Sequence, residues 1–295
     1  MGLRDKCIFS EQKNLFKHFL FLVGEIKHVI GHVVSQPAIM RLVSTTMIVA
    51  LSTCRLFAFN TPRQIVRRSS SKLLPPRLVD VANSVIRVAE TTASFSPPTI
   101  VDIGCDHCLL VGHLSFPSNP LLSTPLVAID SSPSALSGGR DLMDKIKIIS
   151  EGKNSPVELM CGDGLSPLFH NEISSSNIVL SISGMGVSTM KKILTEGALQ
   201  RLSAIHNIVL QPTNTKPRNM QLIYDHLTSL KFRPRDERFF YDDRRFYITT
   251  TFQKTDNDEP AVLGSFLYDT ERTRQIYEKY TKFHEEWSRK IKEKI

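Results

Sequence analysis

No G-x-G-x-x-G and no G-x-x-x-x-G-K-[ST] occurs in this chain of 295 residues. Neither a pyrophosphate nor a triphosphate therefore finds the glycine-lined cradle that backbone N–H groups make for it. Cysteine is sparse too. There are five, two of them in the first 72 residues, and they make no disulfide framework for a chain of this length. Cys105 and Cys108 form a C-x-x-C with His107 and His113 nearby, but a structural zinc site usually needs a second pair, and only Cys161 remains in the body. No metal is expected, and the thiols read as small, buried and reduced. Long apolar runs without charge are also missing. Residues 15–34 are broken by Lys17, His18, Glu25, Lys27, His28 and His32, which disfavours a bilayer span.

Acids are scarce at the start. Residues 1–72 hold 11 Lys/Arg against 3 Asp/Glu, which accounts for the whole formal charge of +8. The remaining residues balance at 26 bases and 26 acids, so the basic pI is no sign of nucleic-acid binding by the folded body. Residues 40–58 have a basic start at Arg41, an apolar core and a small residue, Ala58. The acid-free, serine-rich "FNTPRQIVRRSSSK" follows. This signal-like core with a transit-like tail resembles the bipartite presequences of plastid proteins, with Met40 as an alternative initiator. A mitochondrial presequence and a signal anchor are the competing readings. Residues 1–73 are thus expected to be a targeting leader, disordered or cleaved, with no stable membrane association once it is gone.

Alternation organises the rest. Residues 77–90 carry a helical apolar stripe. Strand patterns follow at 100–103, 126–129, 157–160, 177–182 and 207–210, with helical patterns at 107–115, 133–149, 188–203 and 217–230. That predicts an α/β fold with a mostly parallel sheet covered on both faces. Residues 232–254 predict two antiparallel strands turning at Asp242-Asp243. From Phe266 to Ile291 the spacing predicts one amphipathic helix, giving a domain over 74–255 and a helical extension over 256–295.

In such a sheet, ligands sit outside the carboxyl ends of the strands. The first strand ends in "DIGCDH", with Gly104 allowing close backbone approach. The second ends in Asp130, near the offset at which an acid takes a ribose, and the third in "CGDGL", where Asp163 suits an adenine amine. Three acids at three successive strand ends point to a nucleoside cofactor. Without a phosphate cradle, S-adenosylmethionine fits best, because its sulfonium cation suits an acid-lined pocket. The fourth strand ends in "SISGMG", a small-residue loop with room for a flat base, where many amino-methylating enzymes have Asn/Asp-Pro-Pro-aromatic.

"DIGCDHCLL", "CGDGL", "SISGMG" and "IVLQP" resemble, in the same order, the motifs of the bacterial tRNA (adenine(22)-N(1))-methyltransferase family across residues 74–255. The resemblance implies a Rossmann-like methyltransferase sheet, parallel with an antiparallel closing hairpin, and a C-terminal extension that grips tRNA. It implies S-adenosylmethionine as cofactor, held by Asp102, Gly104, Asp130 and Asp163. His107, Gly184, Met185, Gly186, Gln211 and Pro212 would line the target base. The chain departs from the family at Cys105 (usually Ser), Val111 (Pro), Val187 (Gly) and Thr213 (Asn). Val187 is expected to narrow the substrate loop, and the extension is one helix rather than a hairpin.

Adenine N1 has an in-plane lone pair and attacks a methyl sulfonium without a metal, so alignment and electrostatics are what the enzyme contributes. A carboxylate near the exocyclic amine stabilises the growing positive charge, and Asp106 is the candidate. The plain alternative is that Asp106 caps the following helix. Lys/Arg outnumber acids 8 to 5 over 216–245, and again over 271–294, which is where a polyanion would be held. Competing functions are methylation of another substrate and a catalytically silent RNA-binding module of the same fold.

Overall fold

The computed structural model describes residues 74–93, 97–121, 124–170, 177–256, 261–268 and 270–293. The leader expected over 1–73 lies outside the described residues. Seven strands form one sheet: β1 (Thr99–Ile103), β2 (Leu126–Asp130), β3 (Val157–Cys161), β4 (Ile178–Met185), β5 (Ile205–Pro212), β6 (Phe232–Asp242) and β7 (Arg245–Lys254). Their order is β3-β2-β1-β4-β5-β7-β6. The first five strands run parallel, and β7 lies antiparallel between β5 and β6. The helices are α1 (Pro76–Ala93), α2 (Leu109–Leu114), α3 (Pro133–Ile149), α4 (Val187–Ile193), α5 (Glu196–Arg201), α6 (Pro217–Ser229) and α7 (Glu271–Lys292). This is the α/β sheet with an antiparallel closing hairpin and a C-terminal helix that the alternation predicts.

Every residue of β1 is buried, as its unbroken run TIVDI requires of a central strand. Ile100, Val179 and Val209 pack with Leu78, Val81 and Val85 of α1 on one face of the sheet. Val101, Ile103, Leu180 and Leu210 pack with Met190 of α4 and Ile223 and Leu227 of α6 on the other. Burying each such side chain contributes about 1.5–3 kcal/mol, so the strand ends that carry the candidate residues are anchored on both sides. Asp102 alternates with Val101 and shares a face with Ile100.

Two expected elements differ. The helix expected over 188–203 is two helices, because Thr195 breaks the run and caps α5, its hydroxyl accepting from Ala198 N at 3.3 Å. The last helix starts at Glu271 rather than near Phe266. Thr270 caps it by accepting from Thr273 N at 3.1 Å, and Gly264, at φ +90°, turns the preceding chain. Phe266 instead belongs to a connector bound to β6: Glu237 accepts from Gly264 N at 2.8 Å and Phe266 N at 3.2 Å, and also from the Tyr224 hydroxyl of α6. Tyr280 of α7 donates to Thr215 O at 2.7 Å. These bonds fix α7 beside the amino end of α6. The β6–β7 hairpin turns at Asp243 and Arg244, φ +43° and +60°, one residue beyond the expected Asp242-Asp243, because Asp242 still pairs with Arg245; this pair of left-handed residues matches the strands' twist.

Candidate active site

The connections leave β1 and β4 in opposite directions, because β1 pairs with β2 on one side and β4 on the other. A crevice opens outside the carboxyl ends at such a reversal. Two of the sequence motifs close these strands and touch there: a Cβ on Gly104, at φ +69°, would stand 1.9 Å from the Met185 methyl group. The register of β4 against β5 shifts between Ser183 and Met185, which bends the strand end where the small-residue loop begins.

Asp102 is 3% exposed, beneath the Gly104 turn and in register with Ser181 of β4. Burial pushes its carboxyl up to about 7; the Ser181 hydroxyl offsets part of that rise, and the Asp130 charge adds to it. Asp102 is therefore an electrostatic neighbour of the crevice rather than an open contact surface.

Asp130 closes β2 and is half-buried. Its Oδ2 accepts from the Asp106 amide at 2.9 Å and its Oδ1 from the Ser132 amide at 2.8 Å. A carboxylate has about four acceptor positions, so each oxygen keeps one for a ribose hydroxyl. Asp163 is exposed just past β3; its main-chain oxygen accepts from Ser166 N at 3.1 Å and Ser166 Oγ at 2.7 Å, which turns the chain and leaves the carboxylate outward.

The turn Cys105–Cys108 is closed by Cys108 N donating to Cys105 O at 2.8 Å. Asp106 (φ +50°) and Cys108 (φ +56°) are both left-handed, a conformation costing non-glycine residues on the order of 1 kcal/mol or more each. Asp106 tolerates it because Asp130 holds its amide. The result is an exposed carboxylate at the crevice, with His107 Nε2 3.8 Å from Asp106 Oδ1. The residue at the start of α2 is Cys108, with no side-chain cap bond, so the helix-cap role considered for Asp106 is not one the geometry uses.

Gly184 is exposed at φ +75°, and a Cβ on Gly186 would meet nothing within 4 Å. The loop is as open as its composition predicts. Val187 does not narrow it: this residue starts α4 and is 7% exposed, within the main core, so its methyl groups point away from the loop. Pro212 ends β5, paired with Met185, and is buried. Gln211 is 1% exposed, and its amide nitrogen donates to Arg77 O and Thr249 Oγ1, each at 2.9 Å. It braces α1 and β7 against β5; Oε1 alone is left for a ligand.

Sequence reading missed two features. Arg77 reaches the small-residue loop, since a Cβ on Gly184 would lie 3.6 Å from its Nη1. Its position in the first turn of α1 was the available signal. Gly138 and Gly139 of α3 face this turn: Cβ atoms there would stand 2.6 Å from His107 Nδ1 and 2.4 Å from Cys108 Sγ. Two adjacent glycines inside a helix are costly, and that cost was the available signal that something packs closely there.

A cavity of about 850 Å³, lined by Arg87, Asn207, Arg235 and Thr251 among others, lies at the amino ends of β4 and β5, away from this crevice. A second of about 740 Å³ runs between α6 and α7, lined by Arg218, Tyr277, His284 and Arg289 among others. Cations and aromatics interleave around it. Lys216 Nζ lies 5.2 Å from the Trp287 ring, and Lys279 Nζ 3.4 Å from that of Tyr241 on the nearby hairpin. Phe283 and Trp287 are 52% and 45% exposed. Among the described residues no group of three His, Cys, Asp or Glu is placed to hold a metal, and no helix is long and apolar enough to cross a membrane.

Residues 82–249 match the family model described as a methyltransferase domain. Among solved structures, the chain is similar to a protein of the NADB-Rossmann superfamily from Streptococcus agalactiae (20% identity, 62% of this chain and 70% of that one, TM-score 0.45). It is also similar to M. capricolum TrmK in complex with S-adenosyl-homocysteine (21%, 68% and 73%, TM-score 0.44). A third is the B. subtilis M1A22 tRNA methyltransferase TrmK (17%, 72% and 96%, TM-score 0.44). No curated protein matches.

Proposed function

Because this chain belongs to the methyltransferase-domain family, we propose that it transfers a methyl group from S-adenosylmethionine to N1 of an adenine in tRNA. The observation that carries the reading is the Asp106–Asp130 pair: the Asp130 carboxylate at the end of β2 accepts from the Asp106 amide at 2.9 Å, and the Asp106 carboxylate is exposed beside it. The crevice fits the cofactor. It has acids for a cation and spare acceptor positions on Asp130; the space over Gly104, expected to admit a ligand, is taken by the Met185 methyl group, so the cofactor would bind beside that side chain rather than on the glycine. When bound, S-adenosylmethionine supplies a methyl group on a positive sulfur.

This chain's residues do the rest. Asp130 takes the ribose hydroxyls, Asp163 the adenine amine of the cofactor, and the Asp102 carboxyl sets the potential under the turn. Gly184, Met185 and Gly186 leave a slot for the target base beside Pro212, while the His107 ring lies against Gly138 of α3. Asp106 accepts from the exocyclic amine of the target adenine and stabilises the charge that grows as N1 is alkylated. An adenine must leave its stack to reach this slot. The interleaved cations and rings of the hairpin, α6 and α7 suit the phosphates and bases around such a flipped nucleotide.

The substrate assignment rests on the four-motif resemblance and this chemistry. Methylating total tRNA with the purified chain and mapping the product nucleoside by mass spectrometry tests it. The expected product is 1-methyladenosine, and a methylated nucleoside other than that would overturn the assignment. The leader reading extends to location. A basic, acid-free segment after an apolar core supports plastid import, with the mitochondrion as the alternative, and a fluorescent fusion of residues 1–73 distinguishes them.

A further inference from the structure

We propose that Cys105 and Cys108 form a reversible thiol–disulfide modification site, which a small or protein disulfide oxidises to switch off the turn carrying Asp106. The inference rests on the active-site reading above and adds its regulation. Their sulfurs are 3.3 Å apart. The two residues are the corners of a hydrogen-bonded four-residue turn. Such corners have Cα atoms within about 7 Å, and a disulfide takes about 4.4–6.8 Å, so closure asks for little backbone movement. Both thiols are free. Gly139 contributes the room: any side chain there would displace Cys108 Sγ.

The reaction balances. Two thiols and one external disulfide become the Cys105–Cys108 disulfide and two external thiols; one S–S bond forms, one breaks, and two electrons and two protons pass to the oxidant. Access is uneven, since Cys105 is 7% exposed and Cys108 is 0% exposed. Cys105 therefore meets the oxidant and Cys108 resolves the mixed disulfide. The Cys105 thiol is pushed well up by its hydrogen bond to Cys108, by burial, and by the surrounding negative charge of Cys108, Asp102 and Asp130. Exchange proceeds through the thiolate, so oxidation is slow at neutral pH and accelerates as pH rises. A site of this kind answers sustained oxidation, not brief fluctuation.

Closure acts on the crevice directly. The sulfurs draw together from 3.3 Å to about 2.05 Å, and the two residues between them, Asp106 and His107, are carried by the same turn, with the Asp106 amide tied to Asp130 at 2.9 Å. A misplacement of about 1 Å in a reacting constellation costs on the order of 10²-fold in rate.

The test incubates the full chain in buffers of reduced and oxidised glutathione, maps disulfides by peptide mass spectrometry, and measures S-adenosylmethionine affinity and methyl transfer before and after dithiothreitol. We expect a Cys105–Cys108 link, a loss of methyl transfer of at least ~10-fold, and full recovery on reduction. Cys105→Ser should keep the basal rate and ignore the oxidant, Cys108→Ala should stop at a mixed disulfide between Cys105 and glutathione with no internal link, and Cys161→Ser should remain sensitive. No such link at any glutathione ratio would overturn the proposal. So would a link that changes neither rate nor cofactor affinity, or an oxidant-sensitive Cys105→Ser. Linkage that weakens cofactor binding in a protein inactive on tRNA would support this site and count against the tRNA assignment.

Discussion

Replacing Asp130 tests the cofactor site most directly, because its carboxylate has two tasks whose magnitudes can be separated. Its oxygens each accept one backbone N–H, from Asp106 at 2.9 Å and Ser132 at 2.8 Å. Hydrogen bonds to a charged group contribute about 1.5–3 kcal/mol each, so Asp130→Ala should cost on the order of 3 kcal/mol or more in unfolding free energy. The same carboxylate offers its remaining lone pairs to a ribose. Losing those contacts should cost a further 1.5–3 kcal/mol or so in binding, roughly a 10- to 150-fold rise in Kd. Urea unfolding reads the first quantity, and titration calorimetry with S-adenosylmethionine reads the second in protein shown to be folded. Asp130→Asn divides them further. Its one amide oxygen can serve only one of the two N–H groups, so it should fall between wild type and Asp130→Ala on both scales. A folded Asp130→Ala variant with unchanged Kd would remove Asp130 from the cofactor site. Unchanged stability would show that the Asp106 turn does not depend on it.

Asp106→Asn keeps size and removes charge, and should lower kcat on the order of 10²–10³-fold with little change in cofactor affinity; a purely binding defect would refute the catalytic role. Asp102 holds its proton to about pH 7 in the fold against 3.8 when unfolded, so its contribution to stability is full below pH 4 and is lost as pH rises to 7. Asp102→Asn should flatten that part of a Tm-against-pH curve, and an unchanged slope would contradict the assignment. Gly139→Ala would put a methyl group 2.4 Å from Cys108 Sγ and should destabilise by about 1–3 kcal/mol in urea unfolding. A chain beginning at Leu74 should fold and methylate like the full one, and an inactive product would make the leader part of the enzyme.

Periodicity revealed the sheet because its strands are driven by burial. β1, β2, β4 and β5 are short β-branched apolar runs between helical stretches, and each lies within a few residues of its expected position. Breaks set by single polar atoms were illegible. Thr195 splits an expected helix because its hydroxyl finds an amide three residues on, and the same residue inside a continuous helix would look identical in sequence. The start of α7 moved for a related reason. Phe266 fits the helical spacing, but Glu237, 29 residues earlier, claims its amide.

The crevice was legible where chemistry sits on strand ends and illegible where it depends on contact across the fold. Asp102, Gly104, Asp130 and Asp106 follow from reading the residues that close each strand, and the strand order brings them to one reversal point. Gln211 sits at an equally suggestive position, yet its amide hydrogens go to Arg77 and Thr249, 134 residues before it and 38 after. No local pattern announces such a brace. The Asp106 turn joins both kinds of information. A residue with a side chain is held at φ +50°, where glycine would be cheaper. Glycine there would relieve the strain and still leave its amide to Asp130. What it would remove is the carboxylate, the group that the proposed mechanism uses at the crevice, so Asp106→Gly separates the two roles: the turn should persist and methyl transfer should fall.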